Sequence, residues 1–164
     1  MSYEELFLLE ENKQSVYSPS VVLDDEIIAR VLFSPKHYLE EEGEVLPPAF
    51  EQIFSAGGMS ILRLNYSFKK SLSKTIKQLE KDGIRYIGYT SAKVQDIRDI
   101  KINGYRVFHI LDTATKDKVG HADIFAIRLS IEESKLPKKA FKNYIRQEIS
   151  KVFNKVHLYP NPPI

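Results

Sequence analysis

Cysteine is absent from all 164 residues. That excludes disulfides, thiolate nucleophiles and Cys-ligated metals, and it fits a reducing compartment. No apolar run approaches the length needed to cross a bilayer, and the first residues are acidic where a secretion signal would be basic. Both features predict a cytoplasmic protein without a membrane partner. The short motifs that carry chemistry are missing too: no P-loop, no dinucleotide-binding glycine fingerprint, no HExxH and no nucleophile elbow. Nothing in the chain names a cofactor or a metal. There is no internal repeat or low-complexity tract, and the length suits one domain spanning 1–164.

Basic residues are scarce at the start. Positions 1–50 hold 3 Lys and Arg against 11 Asp and Glu, whereas positions 51–164 hold 21 against 11. Such asymmetry marks an acidic segment covering a basic one, a surface with a polyanion partner, or solvated faces that merely differ in sign.

The apolar pattern is densest at 119–129, VGHADIFAIRL. Read as a strand, it puts His121, Asp123, Phe125, Ile127 and Leu129 on one face and Ala122, Ile124 and Ala126 on the other. Both faces look covered, as in a central strand, and the alanines leave room for a helix. A stripe from Leu136 through Phe141, Tyr144, Ile145, Ile149 and Phe153 to Val156 supplies one. Its outer face carries Lys138, Lys139, Lys142, Arg146, Lys151 and Lys155. Further strands are expected over 26–33, 59–65, 84–89 and 105–111. A helix capped by Ser71 or Ser73 is expected before Gly83, and an acidic loop over 39–50 ends in Pro47-Pro48. Residues 1–16 form a first helix or a loosely held arm, and 159–164 an extended tail. The predicted class is α+β: about five strands in a mixed or mainly antiparallel sheet with two or three helices, including the C-terminal basic amphipathic helix.

Polar residues inside apolar strands are the candidates for chemistry. Imidazole and carboxylate together suit acid–base work or a metal, so His121 and Asp123 stand out; His109 would join them if the last two strands pair. Two partly buried, hydrogen-bonded histidines are the plainer alternative. Arg30 inside its strand needs a carboxylate, from Asp123 or an acid of the first fifty residues, or an anionic ligand. His37 follows on a loop. Ser60 and Arg63 follow the Gly57-Gly58 turn, whose N–H groups suit an anion. Lys138, Lys139, Lys142 and Arg146 are the candidates for polyanion binding, with Tyr86, Tyr89 and Tyr105 as stacking platforms for bases if they are exposed.

The succession RVLFSPKHY, LPPAF, GMSILRLNY and GHADIF before a basic helix resembles a group of small prokaryotic proteins of unassigned function, over about Arg30 to Lys155. The resemblance implies that Arg30, His37, Phe50, Ser60, His121 and Ala122 are shared; it implies no activity. A strand arginine, a second-strand serine and a late polar residue also loosely resemble ADP-ribosyltransferases, although the late glutamate of those enzymes has no counterpart near His121. Two functions are therefore expected. One is a small binding or accessory protein docking to nucleic acid or a protein partner. The other is an enzyme on a nucleotide or nucleic-acid substrate, with an Arg/His site. A cleft lined by Arg30, His37, Ser60 and His121 favours the second.

Overall fold

The computed structural model describes residues 1–159, so the tail expected over 159–164 lies, except for Tyr159, outside the described residues. In chain order the elements are α1 (Tyr3–Asn12), β1 (Ile27–Ser34), a hairpin of β2 (Tyr38–Leu39) and β3 (Glu44–Val45), 3₁₀ turns at Pro47–Ala49 and Glu51–Phe54, then β4 (Met59–Arg63), α2 (Phe68–Leu79), β5 (Arg85–Lys93) and α3 (Val94–Arg98). A hairpin of β6 (Lys101–Ile102) and β7 (Tyr105–Arg106) follows, then β8 (Phe108–Asp112), β9 (His121–Ala126), α4 (Ile131–Ser134), α5 (Lys138–Val152) and β10 (Lys155–Leu158).

Six strands form the main sheet in the order β10-β5-β1-β4-β9-β8, and every neighbouring pair is antiparallel. The α+β class stands; the main sheet has one strand more than expected and no parallel pair, and the described residues hold five α-helices rather than two or three. The extra strand is β10. The apolar stripe carried the helix through Val156, but α5 stops at Val152. The outer edge of β5 offers a row of backbone donors and acceptors, and residues 155–158 fill it. All four of their side chains are exposed, which is why hydrophobic periodicity misses them. β9 lies next to the sheet's edge rather than at its centre.

The sheet separates two cores. On one side Phe141, Ile145 and Ile149 of α5 share a cluster with Ile28, Leu32, Ile61, Ala122 and Ile124, closed by Ala49, Phe50 and Ile53 of the 3₁₀ turns. Pro47 and Pro48, expected to resist regular structure, instead start the first of these turns, where a missing N–H does no harm. On the other side Leu72 and Ile76 of α2 meet Val31, Phe33, Leu62 and Tyr86. Each such side chain contributes about 1.5–3 kcal/mol on burial. α2 begins before the serines expected to cap it: Ser71 is buried inside the helix and its carbonyl accepts from Thr75 Oγ1.

Of the two alternatives for residues 1–16, the chain takes the helix. Ser2 and Glu5 form a capping box at its start. Glu10, buried, pairs with Arg98 and Arg106 and accepts from the Ile110 N–H at 3.3 Å.

One irregularity positions the site. The β1–β4 ladder consists of only Ile28↔Arg63 and Ala29↔Leu62, whereas β1 pairs with β5 over its whole length. Beyond Ala29 the two strands part. Alternation along β4 shows what is left facing the gap. Arg63 N–H donates to Gly120 O on the β9 side, and Leu64 N–H donates to Ile27 O on the β1 side. Ser60, in step with Leu64, therefore turns its backbone toward the gap.

Candidate functional site: a cationic cleft at the parted seam

A cleft of about 310 Å³ opens at this gap. Arg30, Val31, Phe33 and His37 of the β1 side, Gln52 of the second 3₁₀ turn, Ser60 of β4, Thr75 and Leu79 of α2, and His121 of β9 line it, with Lys36, Lys81 and Lys118 around it. No Asp or Glu is among the lining residues. The sequence-derived set Arg30, His37, Ser60 and His121 thus converges on one cavity.

Arg30 is 7% exposed. Its Nε donates to Ala49 O at 2.7 Å, Nη1 to Ser60 O at 3.1 Å and Nη2 to Gln52 Oε1 at 3.1 Å. Ser60 O is the carbonyl that a longer β1–β4 ladder would have occupied. All three acceptors are neutral. The carboxylate partner expected for Arg30 is not supplied: neither Asp123 nor an acid of the first fifty residues hydrogen-bonds it among the described residues. Burial pushes the guanidinium down to about 10, with the charge of Asp123 opposing, so it remains a cation at neutral pH.

Arg63 is the instructive contrast. It is fully buried, and Glu26 takes both its Nε and Nη2 at 2.7 and 2.8 Å. Asp112 lies 3.7 Å from Nη1, carbonyls of Ser20 and Val21 accept further bonds, and Tyr66 covers its face at 4.4 Å. Arg63 is a neutralised structural cation, and the anion site suggested for it beside the Gly57-Gly58 turn does not form. Arg30, on the neighbouring strand, has no such carboxylate among its hydrogen-bond partners.

His37 caps the open edge of β1. Its backbone N–H donates to Phe33 O at 2.7 Å, and its Nδ1 accepts from Phe33 N–H at 3.3 Å. An Nδ1 that accepts carries no proton, so the neutral ring has its hydrogen on Nε2. Burial, then Arg30 and Lys36, push its pKa down to about 4. His37 is a neutral donor.

His121 is built the other way. Thr113 Oγ1 donates to Asp123 Oδ2 at 2.7 Å and lies 2.9 Å from His121 Nδ1. The hydroxyl has one hydrogen and the carboxylate is an acceptor only, so Nδ1 donates to Thr113 and Nε2 keeps its lone pair. Ser60 Oγ donates to the other oxygen of Asp123 at 3.2 Å. Burial lowers the His121 pKa and Lys118 acts with it, against Asp123, a bond to the Thr113 backbone carbonyl and Asp112. Asp123 reaches the imidazole through Thr113, standing 3.8 Å from Nδ1 itself.

Other expectations are corrected. β8 and β9 do pair, yet His109 lies opposite Phe125, stacked on it at 4.9 Å, with the Leu111↔Asp123 pair between it and His121. Tyr86 and Tyr89 are buried and Tyr105 packs on Tyr3, so they are not open stacking platforms. Phe50 and Ala122 are core residues. On α5, Lys138 and Lys139 are exposed, but Arg146 is held by both oxygens of Glu51 at 3.0 and 2.7 Å, and Lys142 and Arg146 sit over the Phe54 ring. Thr113, Gln52, Lys36, Lys81 and Lys118 went unnoticed because polar loop and helix-end residues carry no periodic signal. Among the described residues no three His, Asp or Glu side chains form a metal-holding group, and no helix is long and apolar enough to cross a membrane. No family model matches the chain, and no curated protein or solved structure is significantly similar to it.

Proposed function

We propose that the cleft binds a phosphate-bearing ligand of nucleotide or nucleic-acid type and acts on it by acid–base chemistry, with Arg30 holding the anion and His121 taking the proton. The observation that carries this reading is the contrast between the two buried arginines. A cation taken out of water is costly unless paired. Arg63 has its carboxylates, whereas Arg30 has carbonyls, one amide and a cleft without acids. A phosphate placed there meets Arg30 and the His37 Nε2–H, inside a ring of lysines. Guanidinium–phosphate contacts are among the stronger charge-assisted hydrogen bonds. Lys36 and Lys81 are exposed and Lys118 half-buried, so changing them leaves the core alone.

Titration calorimetry with inorganic phosphate and with a ribonucleoside monophosphate tests this directly. Lys36→Gln, Lys81→Gln and Lys118→Gln are each expected to weaken binding about two- to fivefold, the effect of removing ~0.5–1 kcal/mol of partly screened attraction, with unfolding midpoints unchanged. Absence of heat with either probe up to millimolar concentration contradicts the proposal.

A second reading, docking of a polyanion along α5, is favoured by the exposed Lys138 and Lys139 beside Lys142 and Arg128 on a groove at the helix start. It predicts nucleic-acid binding that weakens steeply with salt and survives loss of the cleft lysines.

A further inference from the structure

The two histidines of the cleft present the same ring nitrogen, Nε2, to whatever enters it, but in opposite protonation states. His37 Nδ1 is occupied by Phe33 N–H and His121 Nδ1 by Thr113. Neither Nε2 has a partner within the described residues. Neither is among the buried polar atoms left without one, which are Tyr86 OH and His109 Nδ1. Both Nε2 atoms are therefore reached from the cleft, one as a donor and one as an acceptor.

The acceptor depends on a residue that no local motif marks. We infer that Thr113 is a positioning residue whose hydroxyl, committed to Asp123, forces His121 into the Nδ1–H tautomer and so turns a bare Nε2 into the cleft as the proton acceptor. The inference deepens the acid–base reading above and rests on it for its functional meaning, though not for its geometry. Free histidine favours the other tautomer. Without the Thr113 hydroxyl, the Thr113 backbone carbonyl is the one remaining acceptor near the imidazole among the described residues, since Asp123 is 3.8 Å from Nδ1 and its second oxygen belongs to Ser60. The ligand class narrows accordingly. It offers anionic oxygens to Arg30 and the His37 Nε2–H, and a hydroxyl or water proton to His121 Nε2. A ribonucleotide, with a sugar hydroxyl near its phosphate, supplies both from one molecule. His37 stays out of proton transfer, because protonating its Nδ1 would set two N–H groups, its own and that of Phe33, against each other.

The test is long-range ¹⁵N–¹H correlation on the full chain at neutral pH, where the two ring nitrogens report the tautomer of each histidine. In the unaltered protein His121 is expected as Nδ1–H and His37 as Nε2–H. Thr113→Val keeps the shape and removes the hydroxyl; His121 is then expected to move toward Nε2–H while His37 stays unchanged. Thr113→Ser is expected to restore the original pattern. His121 found as Nε2–H in the unaltered chain, or a tautomer indifferent to Thr113→Val, overturns the inference. Binding is measured in parallel with a ribonucleoside monophosphate, its deoxy counterpart and inorganic phosphate. Thr113→Val is expected to reduce the advantage of the ribonucleotide over the deoxynucleotide about tenfold, the order of one net hydrogen bond to the sugar hydroxyl, and to leave inorganic phosphate affinity unchanged. Expected tautomers with no binding of any probe refute the proposed function alone; binding with the opposite tautomer refutes the role of Thr113 alone.

Discussion

At the scale of single residues, the chain uses one side-chain type for two opposite purposes. Arg63 and Arg30 are both buried in the sheet, on neighbouring strands, but only Arg63 is enclosed by its own carboxylates. Removing one partner of a buried ion pair leaves the other charge uncompensated, which costs roughly 3–5 kcal/mol. Glu26→Gln is therefore expected to lower the unfolding free energy by up to that order, seen as a lower urea midpoint, with Asp112 at 3.7 Å left as the remaining carboxylate. Added phosphate should not restore it, because Arg63 does not line the cleft. Recovery by phosphate would show that the two arginines share one anion site. Both residues are single letters inside apolar strands, and nothing local distinguishes them. The presence of a buried cation was legible in the sequence; its partner was not, because Glu26, Ser20 and Asp112 reach Arg63 across long separations in the chain.

At the scale of elements, the apolar stripes were read correctly wherever a side chain decided the structure. Phe141, Ile145 and Ile149 are buried on α5 as their spacing requires, and Leu72 and Ile76 place α2. The reading failed where the backbone decided. β10 holds on by its ladder to β5, helped by Thr90 Oγ1 donating to Phe153 O at 2.7 Å. Opposite Leu158 in that ladder stands Gly88, which has φ +149° and faces the His157 carbonyl so tightly that a Cβ would lie 2.0 Å from it. Gly88→Ala forces backbone apart, since no flexible side chain can give way. Amide hydrogen exchange over 155–158 is expected to speed up in this variant while β8 and β9 keep their protection. Unchanged exchange in β10 would show that the ladder tolerates the clash.

At the scale of the whole molecule, burial leaves three of the four imidazoles, His37, His109 and His121, in a common condition. The pKa of His37 is pushed down to about 4, and those of His109 and His121 are also lowered, in each case chiefly by burial. A histidine depressed in the folded state contributes its full stability above the ordinary value near 6.5. As pH falls below that, the unfolded chain takes up protons first, and the contribution is lost down to the folded value. Stability should therefore fall between pH 7 and pH 5, above the range where most carboxylates titrate. The urea midpoint measured at the two pH values checks the sign; a midpoint that rises on acidification contradicts it. Phosphate, by placing negative charge beside His37 and His121, should lessen the fall.

What the sequence determined by itself is what local patterns dictate: an α+β chain, two amphipathic helices, the cores of five strands, and a short set of polar residues in apolar surroundings. Arg30, His37, Ser60 and His121 could be singled out because each interrupts or follows such a run. Tertiary structure alone decided that they meet. They meet because β1 and β4 part after two pairs, and that parting leaves the Ser60 carbonyl and the edge of Phe33 to be satisfied by Arg30 and His37. Strand register sets which residues share a face across a sheet, and it depends on pairings between residues far apart in the chain. Thr113 could not be singled out at all. Its meaning lies in the single hydrogen it donates to Asp123, and that choice exists only once β8 and β9 stand side by side.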